Sequence, residues 1–132
     1  MRFQIRTISA LVLALMHYGC ASPPEAAATP TVADLVGIWK VDLRPTPDAE
    51  PYYQEFVVEK VDGTTFFGSF YGTPIQNARV NMDWAQVHFA FTTSDGSGAY
   101  NTSGVLVGSQ LKGTTHSIGR GFLNVWTAER KE

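Results

Sequence analysis

Ala85-Gln86-Val87-His88-Phe89-Ala90-Phe91-Thr92-Thr93 runs into Ser94-Asp95-Gly96-Ser97-Gly98 and then into Ala99-Tyr100-Asn101-Thr102-Ser103-Gly104-Val105-Leu106-Val107. In the first run Val87, Phe89 and Phe91 recur at every second position, opposite His88. Successive side chains of an extended chain point to opposite faces, so this spacing predicts a strand with one apolar side. Tyr100, Thr102, Gly104 and Leu106 align in the same way in the second run. The Asp and Gly residues between them tolerate the backbone angles of a tight turn. The three pieces together read as an antiparallel hairpin.

The same grammar repeats outward in both directions. Alternating runs lie at 36–43, 53–61, 65–71, 75–82, 85–93, 99–107, 110–117 and 121–129, eight in all. The breaks carry turn residues: Asp62-Gly63, Gly72-Thr73-Pro74, Gly108-Ser109 and Gly119-Arg120-Gly121, with a longer proline-bearing loop at 44–51. No window carries a helical apolar stripe. The expected fold class is therefore all-β: an eight-stranded antiparallel up-and-down barrel, which removes the exposed edges of an open sheet. An open sandwich is the alternative. The inward side is expected to be aromatic, with Trp39, Phe56, Phe89, Phe91, Tyr100, Phe122 and Trp126. Gly68, Gly104 and Gly113 either leave space inside the barrel or mark bends.

The N-terminal residues read as an address. Arg2 and Arg6 precede an apolar run from Ile8 to Met16. That run is shorter than the roughly 20 residues that cross a bilayer, and its flanks follow the order of a secretory signal peptide. Gly19-Cys20 ends it, and Cys20 is the only cysteine, so no internal disulfide holds the domain. Gly19-Cys20 resembles the cleavage box of bacterial lipoproteins. The resemblance implies acylation of Cys20, an N-terminal lipid anchor in the membrane, and outer-membrane sorting facing the periplasm. Cleavage after Ala21, giving a periplasmic or secreted protein, stays open. Residues 1–20 are thus expected to be a signal peptide and 21–33 a flexible Pro/Ala linker, with 34–132 as the single folded domain.

Gly37-Ile38-Trp39 on the first strand, the eight-strand meander and Trp126-Thr127-Ala128-Glu129-Arg130 near the end resemble the lipocalin-like (calycin) barrels, in particular small bacterial members of that group. The resemblance implies that Trp39 and Arg130 pack together to close one end of the barrel. The stretch from Pro74 to Asn81 followed by Val87 to Phe91 is also similar to avidin-type barrels. No tryptophan falls on the sixth or seventh strand, so biotin binding is not expected.

Little in the chain points to catalysis. His88 and His116 have no cysteine or carboxylate at metal-ligand spacing, and a zinc site wants three or four such ligands. No metal site and no cofactor are expected. Gly96-Ser97-Gly98 sits in a hairpin loop, without the strand–turn–helix setting of a nucleophile elbow. From Leu35 onward eight Lys/Arg and ten Asp/Glu are scattered singly, which gives no basic stripe for nucleic acid.

The leading expectation is a barrel that binds a small hydrophobic or amphipathic ligand. Arg79, Tyr100 and Asn124 are its candidate polar contacts, and Phe89 and Trp126 its apolar walls. The site is expected at the mouth opposite Trp39, ringed by the 44–51 loop, Gly72-Thr73-Pro74 and the 95–98 turn. The competing readings are a structural or interaction envelope lipoprotein with a filled barrel and, third, a barrel isomerase or cyclase. Oligomeric state is left open.

Overall fold

A computed structural model describes residues 19–24 and 28–132; the expected signal peptide lies outside them apart from Gly19 and Cys20. The chain enters the fold through a short 3-10 turn, Val32–Leu35. Nine strands follow: β1 Gly37–Asp42, β2 Tyr53–Asp62, β3 Thr65–Phe70, β4 Thr73–Pro74, β5 Gln76–Asn81, β6 Val87–Asp95, β7 Gly98–Val107, β8 Gln110–Ser117 and β9 Phe122–Arg130. Val32 packs on the core and Leu35 is fully buried, so the folded part begins slightly before the expected boundary.

The strands form one antiparallel sheet in the order β4-β3-β2-β1-β9-β8-β7-β6-β5. Every sequence neighbour in the meander except β4–β5 is a sheet neighbour, and β1 pairs with β9 through Trp39↔Arg130 and Val41↔Ala128. That pairing makes a nearly closed barrel. The remaining seam lies between β3 and β5. It is bridged by Val80 N–H to Thr64 O at 2.9 Å, Ile75 N–H to Gly68 O at 3.0 Å and the Thr65 hydroxyl to Ala78 O at 3.0 Å.

The count is nine because two residues of the expected Gly72-Thr73-Pro74 turn form a strand of their own. Thr73 and Pro74 fold back on β3 as a two-residue strand. Asn77 then takes a left-handed backbone angle, φ 53°, and the pairing of β5 with β6 shifts register between Gln76 and Arg79. Proline lacks an N–H and sits where a ladder can end.

The barrel interior is filled. Phe56, Phe66, Phe70, Phe89, Phe91 and Trp126 are all buried, with neighbouring ring centres between 5.3 Å for Phe56–Phe91 and 6.5 Å for Phe89–Trp126. Phe66 and Phe70 add to the expected aromatic set. Because Phe66 and Phe67 are adjacent, either facing of β3 buries one ring, and the fold buries Phe66. The inward glycines leave no void. Gly104 and Gly113 are paired across β7 and β8, and a methyl group on either would collide with the ring of Phe89 or Trp126. Two large rings thus occupy the space that side chains at these glycines would take, which keeps interior packing dense.

The end where β1 starts is closed. The Arg130 guanidinium lies 4.4 Å from the centre of the Trp39 ring. It donates to the carbonyls of Val36, at 2.7 Å, and of Asp34. Trp39 Nε1–H donates to Leu35 O at 2.9 Å. Gly37 has φ 141°, and a side chain there would strike the Arg130 guanidinium. The Gly-x-Trp spacing therefore has a mechanical meaning: the glycine clears the path by which the arginine crosses the tryptophan.

Candidate functional site

The opposite end is open. In an antiparallel meander alternate turns fall at the same end, so the β1–β2 loop, the β3–β4 turn, the β6–β7 turn and the β8–β9 turn share this mouth. Between them lies a cavity of about 260 Å³. Phe70 and Thr115 line it among the buried residues, and Tyr52, Tyr71 and Phe122 are its exposed aromatic members. Asp95, Tyr100, Asn124 and Arg120 supply polar groups.

Hydrogen bonds hold Tyr100 and Asn124 in place. The Tyr100 hydroxyl donates to Asp95 Oδ2 at 3.0 Å, and Asp95 Oδ1 accepts the Ser97 N–H at 2.7 Å within the turn. Asn124 Nδ2 donates to Leu43 O at 3.4 Å and so ties β9 to the end of β1. Beneath them, Trp126 Nε1–H donates to Thr115 Oγ1 at 3.0 Å, and Thr115 bonds the Thr102 hydroxyl at 3.0 Å. These buried polar atoms are satisfied, as low-dielectric surroundings require. Arg120 stands between two glycines with its guanidinium 4.9 Å from the Phe122 ring centre. Among the described residues no carboxylate reaches it within ion-pair range.

The structure scatters the residues singled out from the sequence. Tyr100 and Asn124 line the cavity. Trp126 touches it through Thr115, whereas Phe89 lies deeper in the ring cluster, 3% exposed, and does not line it. Arg79 is a correction. It is exposed between the buried Ala78 and Val80, and its guanidinium donates to Ala78 O at 2.7 Å, so it stands outside the barrel. Alternation about Ala78 and Val80 forces this facing. Phe122 is a smaller correction: expected inside, it is 39% exposed at the rim. Trp39 and Arg130 meet at the closed end, away from the cavity. Cys20 is exposed and unpaired by any disulfide. Trp84, in the β5–β6 turn, is 81% exposed.

Arg120, Tyr52 and Tyr71 were not among the expected site residues. Tyr52 and Arg120 sit one position outside an alternating run and Tyr71 is the last residue of one, where residues read as turn punctuation. Turn parity was the available signal, since it places the Gly119–Gly121 turn at the same end as the 95–98 turn. At the rim, Arg44 binds Asp42 through Nε at 2.7 Å and Nη2 at 2.5 Å. That hydrogen bond holds the Asp42 carboxyl below its ordinary range. Asp48, in the same loop, is lowered by a hydrogen bond with Thr46.

Among the described residues no cluster of His, Cys, Asp and Glu could hold a metal ion. No family model, curated protein or solved structure matches the chain.

Proposed function

We propose that this protein is an exported, lipid-anchored barrel of the lipocalin-like (calycin) type that binds a small molecule with an apolar body and an anionic group at its mouth. The observation that carries the reading is Arg120: a cation with no carboxylate partner among the described residues, laid on Phe122 at the rim of an aromatic cavity. Arg binds carboxylate and phosphate groups with paired, charge-assisted hydrogen bonds. Tyr100 and Asn124 offer further polar contacts, and Phe70, Phe122 and Leu43 offer apolar wall. At about 260 Å³ the cavity is small, below the roughly 300–1,000 Å³ usual for ligand pockets. The ligand is correspondingly compact, because the packed rings below leave no channel for a long acyl chain. The chain enters at the closed end, so a tether from Cys20 leaves the mouth unobstructed.

The filled interior also favours the second reading, an envelope lipoprotein that serves as a structural or interaction module without a small ligand. One titration separates them. Trp126 Nε1–H bonds the cavity residue Thr115, so its NMR resonance reports occupancy. Compact amphiphilic carboxylates are expected to shift it saturably, and Arg120→Ala to weaken binding about tenfold, the scale of one charge-assisted hydrogen bond. Absence of a saturable shift across such a panel leaves the structural module.

A further inference from the structure

The tip of the β3–β4 hairpin carries an unfavourable choice of residue. Phe70 pairs with Thr73, and the two residues between them, Tyr71 and Gly72, have φ 54° and 71°. Both angles are positive, as a type I′ turn requires, and Asn-Gly is the pair that meets this demand at least cost. Gly72 conforms. Tyr71 does not: a bulky residue at positive φ is held there by its surroundings, and such positions gather at ligand clamps.

Tyr71 is held in contact with Tyr52. Their hydroxyls meet, and the ring centres lie 6.1 Å apart at 61°. The two rings come from different hairpins, and Gln54 Nε2 donates to the Tyr52 hydroxyl at 3.3 Å. The Tyr71 N–H donates to Glu55 O at 3.0 Å. Both rings are nearly half exposed, and both line the mouth cavity. The contact buries little, so it returns little stability for the strained backbone.

We infer that Tyr52 and Tyr71 form an aromatic clamp at the rim, which selects a ligand bearing a flat ring over an aliphatic one with the same anionic group. The inference rests on the proposed ligand pocket and names the class of molecule it takes. Two flat walls set at an angle offer stacking and edge contacts to a ring, whose attraction depends on that geometry. A flexible chain gains only area there and loses rotamer freedom on entering.

The test uses two carboxylates of equal carbon number, phenylacetate and octanoate, titrated into the purified full chain with calorimetry and with the Trp126 Nε1–H resonance. The wild type is expected to bind phenylacetate about three- to tenfold more tightly, the worth of an aromatic contact. Tyr71→Asn is expected to erase that preference while raising the melting temperature, because Asn suits the turn. Tyr52→Leu is expected to erase it as well. Equal affinity for the two probes in the wild type, or a preference that survives Tyr71→Asn, overturns the clamp and leaves the pocket standing. A melting temperature lowered by Tyr71→Asn assigns Tyr71 to the fold and also overturns the clamp. Failure of both probes to bind the wild type overturns clamp and pocket together.

Discussion

Both ends of this barrel set an arginine on an aromatic ring, with opposite consequences. At the closed end Arg130 lies 4.4 Å from the Trp39 ring centre, and at the mouth Arg120 lies 4.9 Å from that of Phe122. Trp39 is 1% exposed and Phe122 39%. Arg130 donates to two backbone carbonyls, and Gly37 is bare so that it can reach them. Arg120 has no carboxylate partner among the described residues, and glycines flank it. The motif is the same pair of residue types. What separates the latch from the proposed binding group is whether the guanidinium donates to groups inside the protein.

Three changes probe that contrast. Trp39→Ala removes the fully packed half of the latch and is expected to cost ~3–5 kcal/mol in chemical denaturation, as truncation of a large core aromatic does. Arg130→Ala should cost less, about 1 kcal/mol, since a cation near the rim is partly screened. The double variant should show clear coupling between them. Strictly additive losses would mean that the ring and the cation do not act together, and the two ends would then differ only in burial.

Gly113→Ala tests the packed middle that separates the ends. Its methyl group lands in the Trp126 indole, so the ring must move or the strand must bend. Overpacking of this kind costs ~1–3 kcal/mol. The indole fluorescence and the Trp126 Nε1–H resonance should change with it. An unchanged stability would show slack beneath the mouth and a deeper cavity than about 260 Å³.

The smallest effect is expected at the mouth, from Asp42→Asn. Arg44 lowers the Asp42 carboxyl from its ordinary range. A carboxyl that is more acidic in the folded chain adds stability when ionised. That contribution is complete above the ordinary carboxylate range and is lost as pH falls through the lowered value. The wild type should therefore lose slightly more stability than the variant on acidification below that range. Matching acid profiles would show that the pair is worth nothing in solution, as many exposed pairs are.

The strands were legible because period-two alternation is a local property. Val87, Phe89 and Phe91 share a face in any strand that contains them, and all three are buried. Tyr100 and Asn124 were legible as inward polar residues near strand ends for the same reason. Arg79 shows the cost of choosing by residue type over phase. A cation among aromatics reads as a pocket contact, yet Ala78 and Val80 on either side already fix Arg79 outside. The two-residue strand Thr73–Pro74 was not legible, because Gly72-Thr73-Pro74 carries turn residues and too short a run to show alternation.

The sequence by itself determined the all-β class, the order of strands and turns, and the pairing of Gly37 and Trp39 on one face, because these depend on neighbours along the chain. Only the tertiary structure decided how the barrel is filled and where space remains. Phe89 and Trp126 reach from their own strands onto Gly104 and Gly113 of others, closing the middle. Arg120, Tyr52 and Tyr71 meet from three separate turns around what is left. Volume is the residue of how rings from distant strands interlock, and no short stretch of sequence carries it.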